Sequence, residues 1–185
     1  MNIKMILKLL RHLDALVRAA AWVSVALILV MIGSVIWEVV ARKVFGAPTT
    51  WSNTVTYMLS GTMFLLGAGY TLRANRHVRI DFLAALFPDR IQHGLNFLFY
   101  LLIFLPVLFL TVDVASGKTM KAYDRHTLDA MSVWRPVIWP FLAGITLGLT
   151  TFALQVFSEM VRHLIGVICP DKLPDEDNML KQSVL

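Results

Sequence analysis

Residues Ala19–Trp37 read AAAWVSVALILVMIGSVIW, 19 positions without one Asp, Glu, Lys or Arg. A helix that crosses a bilayer needs about 20 apolar residues, so this stretch fits one crossing. It is too long for the core of a secretion signal, and no small-residue cleavage site follows before Trp37, so it reads as an uncleaved first span. Three more charge-free stretches follow, Val44–Leu72, Ile91–Val112 and Pro136–Ser158. The four together take up about half the chain, which predicts an all-α membrane protein with four transmembrane helices. Composition agrees: 57% of the 185 residues are hydrophobic and 16% are charged, against roughly 25% charged in a soluble domain. So few charges cannot cover that much apolar surface, which excludes a soluble globular fold and a disordered chain. The longest remaining piece, the 27 residues after Ser158, leaves no room for a nucleotide-binding engine. The single cysteine, Cys169, rules out an internal disulfide.

Charge asymmetry orients the chain. Eleven cations fall on the side of the two termini: Lys4, Lys8, Arg11, Arg18, Arg73, Arg76, Arg79, Arg90, Arg162, Lys172 and Lys181. Six fall on the other side, namely Arg42, Lys43, Lys118, Lys121, Arg125 and Arg135. The positive-inside bias therefore places both termini in the cytoplasm. Trp37, Trp51, Trp134 and Trp139 sit at outer span ends and Trp22 near an inner end, as expected of headgroup-level belts. The net charge of +5 lies beside membrane spans. That argues against nucleic-acid binding and for membrane phospholipids as partners.

Along the chain, a four-helix membrane domain is expected over residues 1–165, with a cytoplasmic tail over 166–185. Its spans cover about 17–40, 51–72, 91–112 and 136–159. Ile6, Leu7, Leu10, Leu13 and Val17 recur at helical spacing opposite Lys4, Lys8 and Arg11. The pattern suits an amphipathic interfacial helix over about 2–14; an inward, tilted extension of the first span is the alternative. A second surface helix is expected over about 79–88, where Ile80, Leu83, Leu86 and Phe87 share a face. Glu38 and Arg42 form an i,i+4 pair in the favourable order. The turn Gly46-Ala47-Pro48 ends the first helix. Pro106 is expected to kink the third span, while Pro136 and Pro140 fit the first turn of the fourth. Small residues line one face of the second span at Gly61, Ala68 and Gly69, and of the fourth at Gly144 and Gly148. Such faces pack closely against other helices, either in this bundle or in a second subunit.

The middle of the membrane layer holds no ionisable residue: Glu38, Asp113 and Glu159 all fall at span ends. An ion-coupled carrier keeps acids or histidines inside the bilayer, because they form its pathway. Zinc-ligand spacing and a nucleophile–histidine–acid set are absent, so no enzyme activity and no cofactor are expected. His12, His77, His93, His126 and His163 are scattered over both sides, with His93 alone inside a span. His77 and His93 are close enough in depth to keep a haem-anchor alternative open. His163 reads as an ordinary interfacial residue. By elimination the bundle is a partner or scaffold in a membrane complex; a stand-alone small exporter is the other alternative.

One long stretch carries a family resemblance. Ala41-Arg-Lys-Val-Phe-Gly-Ala-Pro-Thr-Thr-Trp51 leads into a helix with Gly61 and Gly67, which ends in Arg73…His77-Val-Arg79-Ile-Asp81. Together with Pro140, Gly144, Gly148 and Gln155 in the last span, this resembles the small membrane subunit of TRAP (tripartite ATP-independent periplasmic) transporters, the DctQ-like family. The resemblance implies a subunit of the bacterial inner membrane that pairs with a large multi-span subunit. That large subunit holds the substrate and sodium sites and works as an elevator. A periplasmic solute-binding protein delivers the substrate, commonly an organic acid. The small subunit braces the static scaffold. Candidate signature or interface residues are then Arg42, Trp51, Gly61, Gly67, Arg73, His77, Arg79, Asp81, Gly144 and Gly148. Candidate lipid-headgroup contacts are Lys4, Lys8, Arg11, Arg73 and Arg76. Many family members carry an acid soon after the Trp, but here Ser52-Asn53-Thr54 follows Trp51. Those side chains are expected to cap the second span instead.

Overall fold

The computed structural model describes residues 3–74 and 89–168. They form α1 (Ile3–Lys43), α2 (Ser52–Arg73), α3 (Asp89–Phe99), a π turn (Tyr100–Phe104), α4 (Leu105–Asp124) and α5 (Trp139–Ile168). Helix α3, the π turn and α4 run on without a break. Three helical runs are long and apolar enough to cross a membrane: Met5–Lys43, Ile91–Asp124 and Trp139–Ile168. The chain is therefore an all-helical, multi-pass membrane protein. With 22 residues, α2 is long enough to cross but is more polar than the other three.

Helix α1 departs from the expected division at its start. Residues 3–43 are one helix of 41 residues, about 60 Å long at 1.5 Å per residue and twice the thickness of a hydrocarbon core. The basic amphipathic segment is thus the first third of α1, the extension reading rather than a separate interfacial helix. Its apolar face meets protein: Leu7 and Leu10 cluster with Ile165 of α5. The buried stripe of α1 continues through Asp14, Val17, Ser24, Ser34, Glu38 and Ala41. Steps of three, four, seven and ten along this stripe keep one seam facing its neighbours, as in left-handed helix packing. Trp22, Leu29 and Ile36 point outward. The seam is small or polar and the outer face apolar, the arrangement that lipid as solvent favours.

Helix α2 lies between α1 and α5 and touches both. A Cβ at Gly148 would stand 2.6 Å from the Leu65 Cβ and 2.9 Å from the Leu65 carbonyl carbon. One at Gly144 would stand 2.6 Å from Thr62. The small-residue face of α5 therefore packs inside this chain's own bundle, the first of the two partners left open for it. A Cβ at Gly61 would stand 3.2 Å from the Phe141 ring, and one at Gly67 would stand 3.4 Å from the Ser24 hydroxyl.

The third membrane run packs on α5 through Tyr100, Leu108, Val156 and Met160, and Leu72 of α2 joins the same cluster. Pro106 has no N–H and its ring crowds the preceding turn. The helix passes it by widening into the π turn at Tyr100–Phe104, so α4 begins with the proline in its first turn. The helix continues to Asp124, twelve residues beyond the expected end of the span at 112. Helix α5 likewise runs to Ile168, past the expected boundary at 159 and into the segment assigned to the tail. The expected surface helix over 79–88 and the rest of the tail lie outside the described residues.

Candidate functional site

The most concentrated chemistry lies where α1 starts and α2 and α5 finish. Asp14 interrupts the apolar face of α1 and is buried, with 5% of its surface exposed. Arg162 reaches it from α5, with Nη2 2.5 Å from Asp14 Oδ2. Arg162 Nη1 also donates to Glu159 Oε1 at 3.1 Å and to Ser158 Oγ at 3.0 Å. Arg73, the last residue of α2, brings Nε to 3.2 Å from the same Asp14 oxygen. Gln155 Nε2 donates to Glu159 Oε1 at 2.5 Å. Two carboxylates and two guanidinium groups thus neutralise one another among three helices. Gln155, Glu159 and Arg162 are each at most 1% exposed. Buried charge is tolerated only when it is paired and hydrogen-bonded, and here the partners come from separate helices.

A histidine pair lies beside this cluster. His93 of α3 and His163 of α5 are both buried, and their Nδ1 atoms share a hydrogen bond of 2.8 Å. Tyr100 stacks on the His163 ring with centroids 5.7 Å apart. A Cβ on Gly166 would lie 2.8 Å from the His93 ring, so glycine is what lets α5 approach α3 here. Two imidazoles on one metal at about 2.0–2.1 Å each stand more than about 3 Å apart. The observed geometry is a hydrogen bond rather than a ligand pair. His163 is therefore an inter-helix contact and not the ordinary interfacial residue expected.

At the opposite end, the Glu38–Arg42 pair forms as the spacing predicts, with Arg42 Nη2 2.6 Å from Glu38 Oε1. Glu38 also accepts the Thr49 N–H at 2.9 Å and the Thr49 hydroxyl. This single acid thereby ties the α1–α2 turn down. Trp51 occupies the N-cap position of α2 without any side-chain cap. The expected capping by the residues after it does not occur. Ser52 Oγ donates instead to the Ser34 carbonyl of α1 at 2.9 Å, and Thr54 Oγ1 pairs with Ser132 at 2.6 Å. Asn53 is exposed. The α4–α5 loop folds back onto this end, where the Tyr57 hydroxyl donates to Asp129.

Among the other expected residues, Lys8 and Arg11 are exposed on the outer side of α1. Arg73 faces Asp14 rather than standing only at the membrane surface. Lys4 lies in α1, and its side chain is not described. Arg76, His77, Arg79 and Asp81 lie outside the described residues. The sequence alone assigned no role to Asp14 and showed Arg162 only as one of the cations on the side of the termini. The one signal available was an acid at a seam position of an apolar helical stripe.

The described residues form a multi-pass helical bundle in which Asp14, Arg73, Glu159 and Arg162 join its own helices. Residues 31–166 match the family described as the DctQ component of tripartite ATP-independent periplasmic transporters, and the chain belongs to that family. It is similar to the sialic acid TRAP transporter small permease protein SiaQ of Vibrio cholerae serotype O1, with 19% identity over 95% of this chain and 97% of that protein. It is also 32% identical to the sialic acid TRAP transporter permease protein SiaT of Haemophilus influenzae, over 45% of this chain and 14% of the relative. The chain thus spans a small fraction of the length of SiaT and nearly the whole of SiaQ.

Proposed function

We propose that this chain is the small, non-enzymatic membrane subunit of a sodium-coupled TRAP transporter in the bacterial inner membrane. It braces the static scaffold of a large, elevator-type subunit that carries the substrate and ion sites. A periplasmic solute-binding protein supplies the solute, an organic acid. Sialic acid is the first to test, because both relatives are named for its transport. The observation that carries the proposal is the match to a small permease protein over 95% of the chain. The geometry supports it. Asp14, Arg73, Glu159 and Arg162 are committed to one another, which suits a rigid brace better than a carrier pathway.

In this proposal α2 is the fourth crossing. Its 22 residues reach about 33 Å, enough for a hydrocarbon core of about 30 Å. Several residues that lower its apolar character, Ser52, Thr54 and Gly69, are buried in the bundle instead of facing lipid. Four crossings place both termini in the cytoplasm, where Lys4, Lys8, Arg11 and Arg76 are assigned to phospholipid headgroups. Arg42, Trp51, His77, Arg79 and Asp81 remain assigned to the signature surface. Coexpression of the tagged chain with its large subunit, followed by purification in mild detergent, tests the proposal. A stable stoichiometric complex is expected; recovery of the chain alone, with the large subunit stable without it, would overturn the assignment.

A further inference from the structure

A groove runs between α4 and α5 on the membrane-facing side of the bundle. Leu110 and Val114 wall it from α4, and Leu142, Ile145 and Leu149 from α5, around a volume of about 470 Å³. That lies within the range of about 300–1,000 Å³ typical of small-molecule sites. The lining is almost wholly apolar except at one end. The two helices are joined there by the Thr119–Thr146 hydrogen bond of 2.8 Å, and Lys118 borders the groove at that level. Thr111, the other polar lining residue, spends its hydroxyl on the Val107 carbonyl. Lys118 is exposed, and among the described residues it makes no salt bridge. Lys121 and Arg125 continue along α4 at steps of three and four, so positive charge extends from the groove mouth toward the end of the helix.

We propose that this groove holds one acyl chain of a phospholipid, with the phosphate seated on Lys118 and drawn there by Lys121 and Arg125. The chemistry is that of a lipid: an apolar slot inside the membrane run, ending in unpaired ammonium charge near the end of a span. A lysine there extends its head to the interface and pairs with phosphate as a point charge. From Leu110 to Lys118 the groove is about 12 Å long, and a phospholipid brings both the apolar chain that its walls accept and the anion that Lys118 lacks among the described residues. A lipid seated there fills the gap between α4 and α5 and stiffens the third and last membrane runs relative to each other.

The test uses the full chain with its large subunit, purified in mild detergent and examined by native mass spectrometry. Reconstitution in nanodiscs of phosphatidylethanolamine with or without phosphatidylglycerol follows. One phospholipid per chain is expected to survive detergent exchange. Ile145→Trp fills the slot and is expected to cut retention at least tenfold. Lys118→Glu leaves the packing intact because the side chain is exposed. It is expected to cut retention of phosphatidylglycerol several-fold while sparing phosphatidylethanolamine more. Leu101→Trp, on an exposed position away from the groove, is expected to change nothing. Equal retention in wild type, Ile145→Trp and Lys118→Glu overturns the proposal. So does loss of the large subunit from Ile145→Trp with lipid retention unchanged, which assigns the groove to a partner helix. Should Ile145→Trp fail to fold, the headgroup preference of Lys118→Glu decides alone.

Discussion

Arg162 and Asp14 are 148 positions apart in the chain, yet their side chains meet at 2.5 Å inside the bundle. The contact joins the start of α1 to the end of α5, and Arg73 adds the end of α2 to the same carboxylate. Three helices thereby acquire a fixed register at one end of the molecule. In an apolar solvent such a polar joint is directional in a way that side-chain burial is not.

Asp14 keeps Arg73 when Arg162 is removed, and Arg162 keeps Glu159 when Asp14 is removed, so each loss is expected to fall at or below the about 3–5 kcal/mol that a wholly uncompensated buried charge costs in soluble proteins. Asp14→Leu and Arg162→Met are each expected to lower thermal stability in detergent by several degrees or to abolish recovery of folded protein. The Asp14→Leu/Arg162→Met double variant is expected to lose less than the sum of the singles, because the cost of leaving either of these two charges without the other is removed, while Glu159 and Arg73 still lose a partner. A fluorescence melting curve on purified protein reads the coupling; strict additivity would show that the two side chains do not depend on each other.

Close approach of α2 and α5 gives a second prediction. Gly148→Val must displace the Leu65 backbone, whereas Gly33→Val meets nothing within 4 Å. The first is expected to destabilise the fold by about 1–3 kcal/mol, as overpacking does. The second is expected to leave the melting temperature of the isolated chain unchanged. Equal melting temperatures for both variants would mean that the two helices are not in contact.

At the other end, the Glu38 and Arg42 side chains are not equivalent. Glu38 collects four donors from Arg42 and Thr49 and is 10% exposed, while the Arg42 side chain is 56% exposed. Arg42→Ala is therefore expected to cost no more than about 1 kcal/mol. Glu38→Ala removes the acceptor of the half-buried Thr49 donors in the α1–α2 turn and is expected to cost about 1–3 kcal/mol. Limited proteolysis across residues 44–50 checks this, with faster cleavage expected for Glu38→Ala alone.

What the sequence revealed and what it hid follow one physical division. The Glu38–Arg42 pair was legible because its partners are one helical turn apart. The Gly144 and Gly148 face was legible because small residues at one-turn spacing carry their purpose locally. Asp14–Arg162 and His93–His163 were not, since no local rule pairs residues separated by 148 and 70 positions. The start of α1 misled for a different reason. An apolar stripe opposite lysines looks the same whether it rests on lipid or on Ile165. The residues after Trp51 were read by their capping propensity, and tertiary partners on α1 and in the α4–α5 loop claimed Ser52 and Thr54 instead.

The most direct test of the central claim is solute uptake in proteoliposomes under an inward sodium gradient. The chain alone is compared there with the chain plus its large subunit, each supplied with the matching solute-binding protein and its ligand. Uptake is expected only when the large subunit is present, and this chain alone is expected to match empty liposomes. Sodium-driven uptake by this chain alone would contradict the account, since it would put the ion and substrate path inside a bundle whose buried charges are here bound to one another.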